Sequence, residues 1–458
     1  MNVRNLILLL LCFVPACSDA PISNSESPPP NILFIIADDL GYGDLGVYGQ
    51  KQIMTPNIDR LAVEGLRFTD FYAGSTVCAP SRSVLMTGQH TGHTYIRGNG
   101  KINLRPADVT VAEILKQSGY RTAHIGKWGL GHEGSDGMPT RKGFDTFFGY
   151  LDQSHAHNYY PSFLVRDEER VPLANTVTDE GPYGQGVAEK KLEYSHDLVI
   201  DEAMSFIENT GTEPFFLYLA LTIPHANNEA ADEGMEVPDL GPYAEKDWPP
   251  PQKGLAAMIS RMDTDIGRLM DLLDRKGLTD NTVVFFTSDN GPHAEGGNNP
   301  DFFDSNGPLR GIKRDLYEGG IRVPMIVRWP GKVRPGSQTS HLAYFTDFLA
   351  TASELANVEP PAKTDGISFL PTLLGKDDQA SHPFLYWEFY ERGSAQAVRS
   401  GKWKAIRKPL FSGEVELYDL DTDLGENQDV STQNPEVARQ LVEFMSQAHT
   451  PSELWQVK

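Results

Sequence analysis

Two pairs of oxygen-bearing side chains stand at the ends of apolar runs, and they are the first residues in this chain with the means to do chemistry. Asp38-Asp39 follows residues 32–37, and Asp289-Asn290 follows the β-branched and aromatic run 282–287 closely. An all-oxygen donor set suits a hard divalent ion, Ca²⁺ or Mg²⁺, rather than a metal that prefers thiolate or imidazole. A single such pair at a strand end is ordinarily a turn or a helix cap. Two of them, far apart in the chain and both at strand ends, favour ligation. Lys127 closes the run 120–126, and His225 follows residues 215–221 across Thr222-Ile223-Pro224. A lysine there supplies charge to an anion, and an imidazole titrates near neutral pH and is able to pass a proton.

These groups need a scaffold that gathers strand ends. Residues 32–37 are continuously apolar, the pattern of a parallel strand buried on both faces. Strands are expected over 120–126, 215–221 and 282–287. Helices are expected over 57–65, over 111–118 with Thr110 as cap, and over 255–273. In the last, Leu255, Met258, Ile259, Met262, Ile266, Leu269 and Leu273 recur at helical spacing as a core-facing stripe. Alternating buried strands and amphipathic helices predict an α/β fold, a mostly parallel central sheet covered by helices on both faces. Ligands of such sheets bind beyond the carboxyl ends of the strands, where all four polar clusters fall. From about residue 381 the texture changes to short segments, 384–390, 395–400, 403–407 and 416–419, suited to a smaller C-terminal antiparallel sheet. A closing helix is expected over 435–448.

The sharpest motif is Cys78-Ala79-Pro80-Ser81-Arg82, continuing through Thr87-Gly88. At this composition a C-x-P-x-[K/R] pattern arises about 0.02 times by chance. Together with the strand-end clusters it resembles the formylglycine-dependent sulfatases of the alkaline phosphatase-like superfamily, over residues 31 to about 375. The resemblance implies that a maturation enzyme oxidises Cys78 to formylglycine, whose hydrated aldehyde attacks sulfur in a sulfate ester. It implies that Asp38, Asp39, Asp289, Asn290 and the group derived from Cys78 hold Ca²⁺ or Mg²⁺. It further implies that Arg82 orients that group, that Lys127 and Lys313 bind the sulfate, and that His225 protonates the leaving alcohol. Lys313 is assigned from Leu309-Arg310-Gly311-Ile312-Lys313, ahead of Tyr317-Glu318-Gly319-Gly320.

One position departs from that pattern. Many members of the family carry His where this chain has Gly129. His155 or His157, in Gln153-Ser154-His155-Ala156-His157, is the candidate to replace that imidazole or to bind substrate. Two surface histidines are the alternative. His93 and Arg97 are further candidates for a sugar pocket, with loop capping as their alternative.

The 458 residues carry 62 acidic and 40 basic side chains, a formal charge of −22. That balance argues against nucleic acid as partner, because neutralising phosphates needs excess Lys and Arg. Arg4 and the short apolar run 6–14 predict an export signal over 1–17, too short to span a bilayer. Val14-Pro15-Ala16-Cys17 resembles a bacterial lipoprotein processing site, with an ordinary cleaved signal as the alternative; a periplasmic or cell-surface location is expected, and membrane contact only through a lipid anchor on Cys17. A Pro/Ser-rich linker is expected over 18–30, a catalytic domain over 31–375 and a C-terminal subdomain over 376–458. With Cys12 in the signal, Cys78 is the lone internal cysteine, so there is no intramolecular disulfide framework. Exported relatives mostly act on sulfated carbohydrates, which makes polysaccharide fragments the expected substrate. The rival expectations are a phosphate or phosphonate ester hydrolase of the same superfamily and a glycan-binding lipoprotein without activity.

Overall fold

The computed structural model describes residues 29–456, so the expected signal, Cys12, Cys17 and most of the linker lie outside the described residues. Ten strands form the central sheet. In spatial order they are Ser337–Thr339, Leu66–Phe68, Met325–Arg328, Thr282–Ser288, Asn31–Ala37, Phe215–Ala220, Arg121–Lys127, Thr146–Tyr150, Phe163–Arg166 and Glu169–Pro172. The middle five, Thr282–Ser288 through Thr146–Tyr150, run parallel. Antiparallel neighbours flank them on both sides.

The continuous apolar run of the strand Asn31–Ala37 has a direct physical reading. Successive side chains point to opposite faces, and both faces are covered. Ile32, Phe34 and Ile36 join one core with the helices Cys78–Thr87, Val111–Gln117 and Thr346–Leu355. Leu33, Ile35 and Ala37 join the other, with the helices Pro56–Glu64, Ser195–Glu208 and Pro250–Arg275. All six side chains are fully buried, and each large one contributes about 1.5–3 kcal/mol of burial free energy. The stripe expected over 255–273 lies in this second core. Thr110 caps its helix with a reciprocal Glu113 bond, as the sequence indicates.

One boundary differs from expectation in a way that matters. Lys127 is the last residue of its strand, paired with Tyr150, rather than the first residue beyond it. The preceding Gly126 has φ +111°, and a Cβ there would meet the Ala220 carbonyl oxygen at 1.9 Å. Glycine lets the two strands close up next to the lysine.

The C-terminal sheet is four-stranded and antiparallel, Leu385–Phe389, Ala395–Ser400, Trp403–Lys408 and Glu414–Asp419. The helix Pro435–Ala448 packs on one face through Leu441 and Met445. The other face, through Trp387, Ala397 and Ile406, packs against Tyr72, Leu316 and Ile321 of the main body.

Candidate active site

Four adjacent parallel strands deliver the polar residues to one edge of the sheet. The register pairs Ala37 with Ser288, so Asp38-Asp39 and Asp289-Asn290 emerge side by side. Gly126 pairs with Ala220, which sets Lys127 beside the turn leading to His225. Asp39 has φ +64°, a left-handed conformation that costs a non-glycine residue about 1–2 kcal/mol. Its backbone N–H is held by Asp289 Oδ1 at 3.1 Å.

Cys78 opens the helix Cys78–Thr87, whose ten residues are all buried. Pro80 falls in the first turn, where a missing N–H costs nothing. Arg82 lies one turn beyond Cys78, on the same helix face. Its Nε and Nη2 reach Asp289 Oδ2 at 3.0 and 2.9 Å, and Nη1 donates to the Lys127 carbonyl at 2.9 Å. Arg82 therefore ties two strand ends together. The Cys78 thiol donates to Asp38 Oδ1 at 3.4 Å, and Lys127 Nζ sits 2.6 Å from Asp38 Oδ2. Lys313 arrives from the far side, 2.7 Å from Asp39 Oδ2, 3.0 Å from Glu295 Oε2 and 3.0 Å from His225 Nε2.

All nine strand-end and helix residues of the expected site thus converge: Asp38, Asp39, Cys78, Arg82, Lys127, His225, Asp289, Asn290 and Lys313, each at most 3% exposed. Burial raises the Asp38 carboxyl, but Lys127, His225, Arg82 and Lys313 together hold it well below the usual range. Asp289 is pushed up to about 7 by burial and by the charge of Asp38, against the pull of Arg82. Burial, then the adjacent Asp38, drives the Cys78 thiol well above its ordinary value, so the side chain as it stands is a poor nucleophile. Burial, then Lys313, holds His225 well below neutral. Its Nδ1–H donates to the Ala226 carbonyl at 2.6 Å, which leaves Nε2 as an acceptor facing the Lys313 ammonium.

The donor set fits a hard divalent ion. Asp38, Asp39, Asp289 and Asn290 bring oxygens from two neighbouring strand ends. Asn290 spends its Nδ2 on Asp39 Oδ1 and the Gly291 carbonyl, and its Oδ1 is buried with no hydrogen-bond partner among the described residues. A buried acceptor without a partner calls for a donor or a cation.

The histidine loop divides. His157 stacks on His225 with ring centroids 4.9 Å apart and planes 12° apart, and its Nδ1 lies 3.3 Å from Glu229. His155 is buried against Tyr150 and Phe163 and does not join the cluster. His93 pairs with Asp365 at 2.9 Å, and Arg97 is buried on Glu388 of the C-terminal sheet at 3.1 Å. Neither touches the cluster. Asn99, from the same loop, accepts the Ala79 N–H at 3.0 Å and so steadies the start of the Cys78 helix. Glu295 is the participant that the sequence reading missed. It lies five residues past Asn290 in Gly291-Pro292-His293-Ala294-Glu295, and no spacing rule distinguishes it from a surface acid. The void at Gly129 is filled by Gln153, whose Nε2 lies 2.1 Å from where a Cβ would stand.

Comparison with known proteins finds relatives over most of the chain. The family model described as Sulfatase matches residues 30–358, and the model described as N-sulphoglucosamine sulphohydrolase, C-terminal, matches residues 312–450. Arylsulfatase A of Bos taurus is 34% identical, over 92% of this chain and 87% of that protein. N-acetylgalactosamine-6-O-sulfatase of Bacteroides thetaiotaomicron is 32% identical, over 98% of this chain and 99% of that protein. Among solved structures, that of Ps i-CgsB in complex with k-i-k-neocarrahexaose superposes with a TM-score of 0.77 at 28% identity, covering 94% of this chain and 95% of that one.

Proposed function

The chain belongs to the sulfatase family and is a sulfuric ester hydrolase, and on that premise we propose that it removes sulfate from carbohydrate monoesters after maturation of Cys78 to formylglycine. The observation that carries this reading is the meeting of Cys78 with two buried lysines and an imidazole, against four oxygen donors. A glycan-binding protein has no need of that assembly. The relatives named for N-acetylgalactosamine 6-sulfate and the neighbour solved with a neocarrahexaose support carbohydrate as the substrate class.

Asp38, Asp39, Asp289 and Asn290 would hold Ca²⁺ or Mg²⁺, which when bound supplies positive charge for sulfate oxygens and for an ionising hydroxyl. A formylglycine at residue 78, made by a cellular maturation enzyme, would supply when hydrated the hydroxyl nucleophile that the thiol cannot. The chain's own side chains do the rest. Lys127 and Lys313 present ammonium groups from two sides, so negative charge spreading over the sulfate oxygens meets fixed donors. Arg82 orders Asp289 and the Lys127 strand end, which keeps the cluster from reorganising. The leaving alcohol needs one proton. The N–H···N axis between Lys313 and His225 carries it, and the Nδ1–H bond to Ala226 keeps the imidazole turned toward the reacting oxygen. His157, stacked outside His225 and braced by Glu229, is placed to meet a hydroxyl of the departing sugar.

Export through residues 1–17, with Cys17 lipidated, completes this reading, since sulfated polysaccharides are met outside the cytoplasm. Labelling of wild-type protein, but not of Cys17→Ala, with a fatty acid would support the anchor. The central test is mass spectrometry of the peptide spanning Cys78, paired with turnover of an aryl sulfate, an aryl phosphate and a sulfated sugar. An aldehyde at residue 78 and loss of sulfate turnover in Cys78→Ser are expected. An intact thiol in fully active enzyme would sink the proposal, and preference for the phosphate would return it to the rival hydrolase.

A further inference from the structure

The Lys313 ammonium has three N–H donors, and each has a partner at the reaction centre. Asp39 Oδ2 lies at 2.7 Å, His225 Nε2 at 3.0 Å and Glu295 Oε2 at 3.0 Å. A sulfate oxygen that binds this ammonium must therefore take the place of one of the three. His225 is engaged in the proton transfer described above. Asp39 is locked, its N–H on Asp289 Oδ1 and its other oxygen on Asn290 Nδ2. Glu295 is the partner placed to yield. Its side chain is 19% exposed, against 2% or less for Lys313, His225 and Asp39. Its second oxygen, Oε1, already lies on the Arg314 guanidinium, so the carboxylate keeps a cation when it releases the lysine.

The charge of Glu295 nonetheless stays close by, because the backbone beneath it is pinned. The Glu295 N–H donates to His293 Nδ1 at 3.1 Å, and His293 Nε2–H donates to the Pro224 carbonyl at 3.0 Å, in the turn that carries His225. On the facing arm the Lys313 N–H bonds the Pro292 carbonyl at 2.9 Å, and the Arg314 N–H bonds the Thr76 carbonyl at 3.1 Å. A cation on each oxygen keeps Glu295 ionised. A fixed negative charge beside Lys313 opposes a bound anion in proportion to that anion's own charge. Hydrolysis of a sulfate ester consumes water and turns a singly charged ester into an alcohol, a proton and doubly charged inorganic sulfate. The product is thus repelled more strongly than the substrate. A phosphate monoester, doubly charged above its second pKa of about 6, is repelled as the product is.

We propose that Glu295 is a specificity-determining carboxylate, which gives up its place on Lys313 to a singly charged sulfate ester and drives out doubly charged anions, the product sulfate and phosphate monoesters alike. The inference rests on the reading of this cluster as the sulfate site. The test measures competitive inhibition of aryl sulfate turnover by methyl sulfate, inorganic sulfate and methyl phosphate. At about pH 8 the first is singly charged and the other two doubly. Ionic strength is held constant, since salt screens the effect. Glu295→Gln keeps the shape and an acceptor for Lys313 and removes only the charge. Glu295→Ala removes the acceptor as well, and Glu295→Asp keeps the charge.

Glu295→Gln and Glu295→Ala should tighten methyl sulfate about fivefold, and inorganic sulfate and methyl phosphate by about the square of that, 25-fold. Product inhibition should accordingly deepen in their progress curves. Glu295→Asp should stay within about twofold of wild type on all three anions. An equal change on all three, a gain that follows phosphorus rather than charge, or a Glu295→Asp that behaves like Glu295→Gln would overturn the inference and leave the sulfate site standing. Inhibition by none of the anions, in wild type and in Glu295→Gln alike, would remove the sulfate site from this cluster and the inference with it.

Discussion

Lys313 Nζ lies 3.0 Å from His225 Nε2, and His225 has no freedom to turn away because its Nδ1–H is fixed on the Ala226 carbonyl. An ammonium and an imidazole thus share one proton in a buried pocket, with Asp39 and Glu295 on its other side. Removing either partner strips the same proton from the leaving oxygen. Lys313→Ala and His225→Ala are each expected to lower kcat by about 10²–10⁴ on a sugar sulfate. The double variant should be little worse than the worse single one, and losses should shrink on an aryl sulfate, whose leaving group needs no proton. Multiplicative losses in the double variant would show that the two act separately.

Chelation tests the oxygen cluster. Treatment with a chelator should abolish turnover and lower the melting temperature, and Ca²⁺ or Mg²⁺ should restore both. Asn290→Ala removes the unpartnered Oδ1 together with the bond to Asp39. It should raise the concentration of ion needed for recovery. Full activity in the chelated enzyme would exclude the assignment.

Gly129 predicts a stability effect in two separable parts. Its φ of +76° disfavours any Cβ, by about 1–2 kcal/mol, and the added atom would also press on Gln153. Gly129→Ala should therefore lose more than that amount in urea unfolding. Adding Gln153→Ala should return the steric part and leave the backbone part. Neutrality of the single variant would count against this packing.

The C-terminal sheet is wired to the loop carrying Lys313. Lys404, fully buried, lies 2.9 Å from both Glu318 Oε1 and Glu426 Oε1, and Glu426 accepts the Glu318 N–H at 2.7 Å. Burial raises Glu318, yet Lys404, Arg399 and Arg322 bring it to about 2, whereas burial and the charge of Glu318 push Glu426 up to about 7 against Lys404 and the Glu318 N–H. Lys404→Met breaks a buried ion pair and should cost about 3–5 kcal/mol. Because Glu318 lies five residues past Lys313, KM for the sulfate ester should rise as well. A stable variant with unchanged KM would uncouple the two units.

His382 gives a pH dependence of stability. Its Nε2 lies 2.7 Å from Asp347 Oδ1, and although burial opposes it, that carboxylate raises the imidazole above its ordinary 6.5. A raised folded value means the folded state binds the proton more tightly. The stabilisation is complete below about 6.5 and is lost as pH rises through the folded value. Urea midpoints should fall across that window for wild type and fall less for His382→Gln. Equal slopes would place the pH dependence elsewhere.

The chain's own chemistry was legible wherever a local pattern carried it. Continuous apolar runs marked strands buried on both faces, and Asp38-Asp39, Asp289-Asn290, Lys127 and His225 stand at their ends because that edge is where a parallel sheet leaves backbone and side chains open. The cysteine motif is equally local, since the Cys78 helix brings Cys78 and Arg82 to one face within a single turn. What sequence order does not encode is which distant groups become neighbours. Glu295 and Lys313 meet because the one long connection after the strand Thr282–Ser288 doubles back on itself, the Lys313 N–H bonding the Pro292 carbonyl at 2.9 Å. His157 rather than His155 reaches His225 because a short helical turn sends alternate side chains to opposite sides of the loop. His93 and Arg97, polar residues in a promising loop, were claimed instead by Asp365 and by Glu388 of the C-terminal sheet, partners 272 and 291 residues away that only packing supplies.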